Sequence, residues 1–247
     1  MVRTGAGSVN AKPCNTATFS PAFAGRAGCF PSSPVIRSYS RLDRLLERGD
    51  SLLRAATRTG AHQQRPTPGE ELPDSPLASG SRRQAAGLMR VNHAGEVCAQ
   101  ALYVGQAALA RDQTNRAALL QAAREEGDHL FWCEQRLAEL GSHTSRLDPL
   151  WLVGSCAIGV VVAASGDRWS LGFVEETERQ VVRHLQGHLG RLPDQDLRSR
   201  AIVAAMREDE ERHADDAQLR GATPLPAPIR RVMGWTARVM TTTSYWV

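Results

Sequence analysis

The chain is poor in several things at once, and each scarcity excludes a class of protein. Only 5% of its 247 residues are aromatic, and Lys12 is the one lysine among 30 basic residues. The arginine bias points to a GC-rich genome, hence a bacterium, and carries no functional information. No C-x-x-C occurs. Cys14, Cys29, Cys98, Cys133 and Cys156 are widely spaced and odd in number, which indicates neither a zinc knuckle nor a disulfide framework. They read as small apolar residues of a reducing compartment. No segment alternates convincingly with period two, so strands are not expected. Neither a G-x-G-x-x-G nor a P-loop is present, so no nucleotide domain is visible. The net charge of +4 matches Arg3, Lys12, Arg26 and Arg37, which stand in an acid-free stretch at 1–38. The near-neutral remainder has no broad basic face, and no nucleic-acid partner is expected. The uncharged apolar run Leu150–Ser165 is 16 residues long, short of the roughly 20 that cross a bilayer as a helix.

What is present is organised in three parts. Residues 1–38, rich in Ser, Ala, Gly and Pro without an apolar signal core, form a disordered or targeting-like extension outside the fold. Residues 39–81 comprise an amphipathic helix over 39–58 (Leu42, Leu45, Leu46, Leu52, Leu53) and a strap carrying Pro66, Pro68, Pro73 and Pro76. Residues 82–247 are the main domain. Helices are expected at 82–111, at about 115–140 with Gly141 past the end, at 148–165, at about 169–190 after Gly166-Asp167, from Pro193-Asp194 to about 220, and at 225–247. The class is all-α, a bundle. Leu150–Ser165 is rich in Gly, Ala and Ser, and reads either as a buried helix or as one that touches or dips into a membrane. The last piece sets Arg230 and Arg231 beside Met233, Trp235, Met240 and Trp246, a composition suited to an interface.

The chemistry lies in a repeated motif. Glu126-Gly-Asp-His129 alone is an ordinary pattern of a charged helix face. A second Glu-x-x-His, Glu210-Glu-Arg-His213, lies on another expected helix. Residues three apart on a helix share a face, so each pair can converge on one ion. Two such motifs, each preceded by a helix carrying a single Glu, is the arrangement of ferritin-like di-metal carboxylate bundles. The first single Glu is Glu96, the one acid of its helix, 30 residues before Glu126. The second is among Glu175, Glu176 and Glu178. Similar spans of the two hairpins favour Glu178, 32 residues before Glu210. Four carboxylates balance two divalent cations, and a mixed imidazole–carboxylate set suits iron or manganese. Glu125 and Asp209, one residue off each motif, belong to solvated faces or to hydrogen bonds behind the ligands. His93 reads as a hydrogen-bond partner behind the ligands or as helix packing, rather than as an H-x-x-E ligand. His184 reads either as a channel or proton-shuttle residue or as plain surface. His62, His143 and His188 receive no role.

The stretches "RVNHAGEVCAQALYVGQ", "EEGDHL", "SLGFVEETERQVVRHL" and "MREDEERHAD" resemble the demethoxyubiquinone hydroxylase family of ubiquinone biosynthesis over about residues 38–247. That resemblance implies two Fe ions held by Glu96, Glu126, His129, Glu178, Glu210 and His213, in a ferritin-like four-helix bundle with additional N-terminal, central apolar and C-terminal membrane-associated helices. It makes residues 82–247 the di-iron catalytic domain. It implies a mono-oxygenase with O₂ as co-substrate, hydroxylating 2-polyprenyl-3-methyl-6-methoxy-1,4-benzoquinol to 3-demethylubiquinol. The partners implied are the polyprenyl benzoquinol, a membrane surface, an electron donor and other ubiquinone-biosynthesis proteins. The location implied is peripheral, on the cytoplasmic side of a bacterial cell membrane (the inner mitochondrial membrane in a eukaryote). Where many relatives have a tyrosine, this chain has Leu185. Two alternatives need the same ligands: a ferritin-like oxidase or iron-handling protein, and a metal-stabilised lipid-binding scaffold.

Overall fold

The computed structural model describes residues 64–247, so the expectations for 1–38 and for the helix at 39–58 lie outside it. Six α-helices follow one another, with no strand among the described residues: α1 (Ser79–Leu109), α2 (Gln113–Glu139), α3 (Asp148–Ala164), α4 (Asp167–Leu189), α5 (Leu197–Leu219) and α6 (Ala227–Trp246). Local chemistry sets their ends. The Asp112 carboxylate accepts the N–H groups of Thr114 (2.7 Å) and Asn115 (3.1 Å) and starts α2. Gly141, at φ 68°, ends that helix in the left-handed region, with Ser142 N–H donating to Leu137 O at 2.8 Å. Asp196 caps Ser199 N–H at 3.1 Å, so α5 starts at Leu197 rather than at Pro193-Asp194.

The described part of the Pro-rich strap, 64–78, forms no helix. It lies over α2 and α5, with Asp74 paired to Arg136 at 2.9 Å and Leu72 O accepting from Arg198 Nε at 2.8 Å.

The helix α1 packs against α2, α3 and α6, while α4 pairs with α5 and α2 meets α5. Two apolar clusters form the interior. One joins Leu88, Met89, Trp132, Leu137, Leu185, Ile202 and Met206. The other joins Tyr103, Val104, Leu119, Ala123, Val174 and Ala217. On each of the four helices α1, α2, α4 and α5, the residues Glu96, Glu126 and His129, Glu178, and Glu210 and His213 fall in sequence between the residues given to one cluster and those given to the other. The charged layer is therefore sandwiched between greasy ones.

The alternative of a buried helix at Leu150–Ser165 does not hold. Its small residues Ser155, Gly159 and Ala163 face inward, while Leu150, Val153, Ile158 and Val161 are exposed, Val161 by 69%. The reason is the close crossing of α3 on α1. A Cβ on Gly105 would sit 2.4 Å from Cys156 O, and one on Gly159 would sit 2.4 Å from Leu102 O. Only the small face permits that approach, so the large aliphatic side chains are turned out. The other helix with an apolar exterior, α6, exposes Val232, Trp235 and Trp246 and buries only Ser244. Trp151 Nε1 donates to Ser244 Oγ at 3.0 Å, which joins the two outward-facing helices. No helix among the described residues is long and apolar enough to cross a membrane.

Candidate metal centre

The four helices that carry the charged layer deliver six residues to one place. Glu96 comes from α1, Glu126 and His129 from α2, Glu178 from α4, and Glu210 and His213 from α5. They form two overlapping quartets whose donor atoms all lie within 4.8 Å of one another: Glu96, Glu126, His129 and Glu210, and Glu126, Glu178, Glu210 and His213. Glu126 and Glu210 belong to both. Glu96 with His129, and Glu178 with His213, belong to one each. All six are buried, and among the described residues these are the two such groups.

Each helical motif closes on itself as its spacing requires. His129 Nδ1 lies 2.9 Å from Glu126 Oε2, and His213 Nδ1 lies 3.1 Å from Glu210 Oε2. The same nitrogens cross to the other motif, His129 Nδ1 to Glu210 Oε1 at 3.1 Å and His213 Nδ1 to Glu126 Oε1 at 3.4 Å. Both imidazoles therefore turn Nδ1 into the cluster and Nε2 away from it.

The outward nitrogens are held by the two acids that stand just before each motif. His129 Nε2 is 2.9 Å from Asp209 Oδ2, and His213 Nε2 is 2.8 Å from Glu125 Oε2. These are hydrogen bonds behind the cluster, one of the two roles open to Glu125 and Asp209 from sequence. A carboxylate accepts, so each Nε2 carries a proton, and Nδ1 is the nitrogen that would be free to bind an ion.

The electrostatics describe a cluster built for positive charge. Burial, with the Glu126 and Glu210 carboxylates nearby, holds Glu96 well above its ordinary value. Burial and the facing Glu210 do the same to Glu178. Burial also raises Glu126 and Glu210, but hydrogen bonds from His129 and His213 outweigh it and leave both below the usual range. Burial lowers the two histidines, and their carboxylate partners overcome it and raise them.

Both oxygens of Glu178 and the Oε1 atoms of Glu126 and Glu210 are buried without a well-formed hydrogen bond; the two Oε1 atoms meet only the cluster's own imidazoles, at 3.4 Å and 3.1 Å. Unsatisfied buried carboxylate oxygens are costly. Four of them facing two Nδ1 atoms make a donor set that fits a pair of hard-to-borderline divalent ions.

The other histidines stand elsewhere. His93 bonds Glu134 and Asp148, both at 3.2 Å, and is absent from both quartets, so it serves helix packing. His184 lies against His188, ring centroids 3.9 Å apart and the planes tilted at 56°. His188 Nδ1 donates to Asn92 Oδ1 at 2.7 Å and is 2% exposed, a buried polar link that its late position on the helix concealed. Glu175 and Glu176 turn to Arg179, Arg183 and Gln180.

Two neighbours were invisible in the sequence. Arg65, in the strap, reaches Asp128, Asp209 and the edge of His129, and lies over the Trp132 ring. Tyr103 sets its ring edge-on to His213, centroids 6.5 Å apart, with its hydroxyl buried and without a partner. Tyr103, Leu119, Glu125, Leu171, Val174 and His213 are among the walls of a cavity of about 110 Å³.

With that geometry in view, comparison with known proteins gives one answer. The family model of the ubiquinone biosynthesis protein COQ7 matches residues 83–244. The chain is 55% identical over 209 residues to a 3-demethoxyubiquinol 3-hydroxylase of Verminephrobacter eiseniae, covering 84% of this chain and 100% of the relative. It is 53% identical over 206 residues to the protein of that name from Nitrosomonas eutropha, covering 83% and 99%. To that of Paracidovorax citrulli it is 54% identical over 207 residues, covering 83% and 100%. The chain belongs to the COQ7 family.

Proposed function

We propose that this member of the COQ7 family is an O₂-dependent di-iron hydroxylase of ubiquinone biosynthesis, converting 2-polyprenyl-3-methyl-6-methoxy-1,4-benzoquinol to 3-demethylubiquinol. The observation that carries the reading is the pair of buried quartets sharing Glu126 and Glu210. In it the bundle is ferritin-like, and Glu96, Glu126, His129, Glu178, Glu210 and His213 would hold two iron ions. When bound, such a pair supplies the redox chemistry that divides dioxygen between the ring and water, with two electrons from a donor.

The chain's own residues have separable tasks. Asp209 and Glu125 fix the outward Nε2–H groups, so that both histidines present Nδ1 inward. The apolar clusters above and below the charged layer exclude water from it. The cavity beside His213 gives a small reactant an approach on that side. A polyprenyl substrate also needs an apolar surface, and α3 and α6 provide one, with Trp235 68% exposed near Arg230, Arg231 and Arg238. Such a face suits peripheral contact with anionic lipid. That surface is the reason to prefer the quinol hydroxylase over a ferritin-like oxidase or iron-handling protein, which has no use for it.

The test is a hydroxylation assay on purified, iron-loaded protein, together with mass spectrometry of quinones in a deletion strain complemented by the wild type or Glu178→Ala. The wild type should restore ubiquinone and the variant should accumulate the unhydroxylated quinol. Iron oxidation without quinol hydroxylation would favour the iron-handling reading.

A further inference from the structure

The hydrogen bonds behind the two histidines look alike until their outer neighbours are compared. Glu125 gives Oε2 to His213, and its Oε1 accepts only from Gln121, one turn back on the same helix, at 2.8 Å. Asp209 gives Oδ2 to His129, and its Oδ1 pairs with Arg212 of its own helix. The same Oδ2 is also taken by Arg65 Nη1 at 2.7 Å. Arg65 is not on a bundle helix. It belongs to the strap, which is pinned beside the centre by four further contacts. Nε donates to Asp128 Oδ2 at 3.0 Å, Gln64 N–H donates to Asp128 Oδ1 at 2.7 Å, and Trp132 Nε1 donates to Arg65 O at 3.4 Å. The guanidinium carbon lies 4.8 Å over the Trp132 ring. Trp132 in turn lies against His129, ring centroids 5.2 Å apart.

We propose that Arg65 is a positioning residue that makes the two metal positions unequal: it holds Asp209 against His129, so the strap supports the ion that Glu96 and His129 would bind and leaves the one at Glu178 and His213 alone. The inference rests on the di-metal reading of the site. Its physical content is a shared acceptor. A carboxylate oxygen held by a planar guanidinium fork keeps its place, and so keeps the imidazole N–H it accepts from in one orientation. Glu125 has no such cation on its Oε2 and lines the cavity. A strap with no element of its own thereby acquires a function at the centre, which accounts for the accumulation of polar contacts on residues 64 and 65.

The experiment is anaerobic loading with Mn(II), the free ion counted by electron paramagnetic resonance, on the full-length wild type, Arg65→Gln, Arg65→Lys, Asp209→Asn and the double variant Arg65→Gln/Asp209→Asn. The wild type should load two ions. Arg65→Gln should load one ion as the wild type does and the other 10–100-fold more weakly, the range typical of lost hydrogen bonds behind metal ligands. Arg65→Lys, which keeps the charge and loses the fork, should fall between them. Asp209→Asn should weaken the same step, and the double variant should be no worse than the weaker single one, because Arg65 acts through Asp209. Circular dichroism and the thermal midpoint identify any variant that fails to fold, and Arg65→Lys keeps the test open if Arg65→Gln does. Equal weakening of both steps, additive losses in the double variant, or wild-type loading by Arg65→Gln would each overturn the proposal. A wild type that loads no metal would instead sink the di-metal reading beneath it.

Discussion

His129 and His213 do the same thing in different company. Each turns Nδ1 to the shared carboxylates and rests Nε2 on an acid one residue before the opposite motif. Behind His129 that acid is Asp209, whose side chain is 10% exposed and which is covered by Arg65. Behind His213 it is Glu125, 28% exposed and lining a cavity. Trp132 packs on the first imidazole, and Tyr103 stands edge-on to the second. The difference extends along the single-Glu helices. One turn before Glu96 is Asn92, bonded to buried His188, and one turn before Glu178 is Val174, a cavity wall. A motif repeated for binding is thus enclosed on one side and approachable on the other. The proposed di-iron hydroxylase would need both conditions at once, to hold its ions and still admit a reactant.

The strongest way to probe the comparison is to remove what the halves share. Glu126→Ala and Glu210→Ala each delete a member of both quartets and should cost both ions, at least at micromolar free metal. Glu96→Ala and Glu178→Ala delete a member of one quartet and should leave about one ion per chain. Elemental analysis of dialysed protein reads the outcome. Equal losses from all four variants would mean that the two quartets do not act as separate sites.

Next in size are the two acids behind the histidines. Asp209→Ala leaves Arg65 and the His129 Nε2–H without their common acceptor, and losing a half-buried charge pair together with a buried hydrogen bond costs on the order of 2 kcal/mol. Glu125→Ala opens a contact that water from the cavity can replace and should cost about 1 kcal/mol or less. Denaturant midpoints of the metal-free proteins compare them. Glu125→Ala should still load two ions. The reverse ranking would show that enclosure of the Asp209 side is not what stabilises it.

These asymmetries mark the limit of what the sequence discloses. The six clustered residues were legible because their signals are local: two Glu-x-x-His spacings, and Glu96 as the one acid of a long helix. Glu178 was favoured over Glu175 and Glu176 by the near-equal spans of 30 and 32 residues, and the structure turns those two toward Arg179, Arg183 and Gln180 instead. Helix order was legible from caps and breakers, and one boundary moved because Asp196 rather than Asp194 is the cap. Arg65 was not legible. It lies 64 residues before His129 in a stretch without periodicity, and only packing brings it there. The outward face of α3 was not legible either. A run that is apolar on every side has no preferred direction, and Gly105 against Gly159 decides it through backbone approach.

A smaller effect separates the halves by pH. Burial, with His184 and Arg191 close by, pushes His188 down to about 2, and burial chiefly pushes His184 down to about 4. Asn92 Oδ1 accepts from His188 Nδ1–H, and His184 Nε2 has no partner. Both are neutral in the fold, while in the unfolded chain they take a proton near 6.5. The unfolded state therefore binds more protons below that value, and stability falls as pH drops from about 6.5 toward the folded values. About 1–2 kcal/mol of His188's share should be gone by pH 5. His129 and His213, raised in the fold, contribute with the opposite sign, so the test is a difference. His188→Gln should flatten the pH dependence of the urea midpoint between 7.5 and 5 relative to wild type. An unchanged slope would place the acid sensitivity elsewhere.

The smallest change concerns Tyr103. Its ring is 1% exposed and its hydroxyl, buried beside the cavity, bonds to nothing. A buried hydroxyl without a partner costs about 1–3 kcal/mol of desolvation, so Tyr103→Phe should leave the thermal midpoint unchanged or raise it slightly. A group that weakens the fold and packs against His213 earns its place only by what enters the cavity. The variant should lower kcat or raise KM in the quinol assay while its metal content stays at two. If stability, metal content and both kinetic constants all match the wild type, the hydroxyl is idle, the cavity is a packing gap, and the open side of the centre must be sought elsewhere.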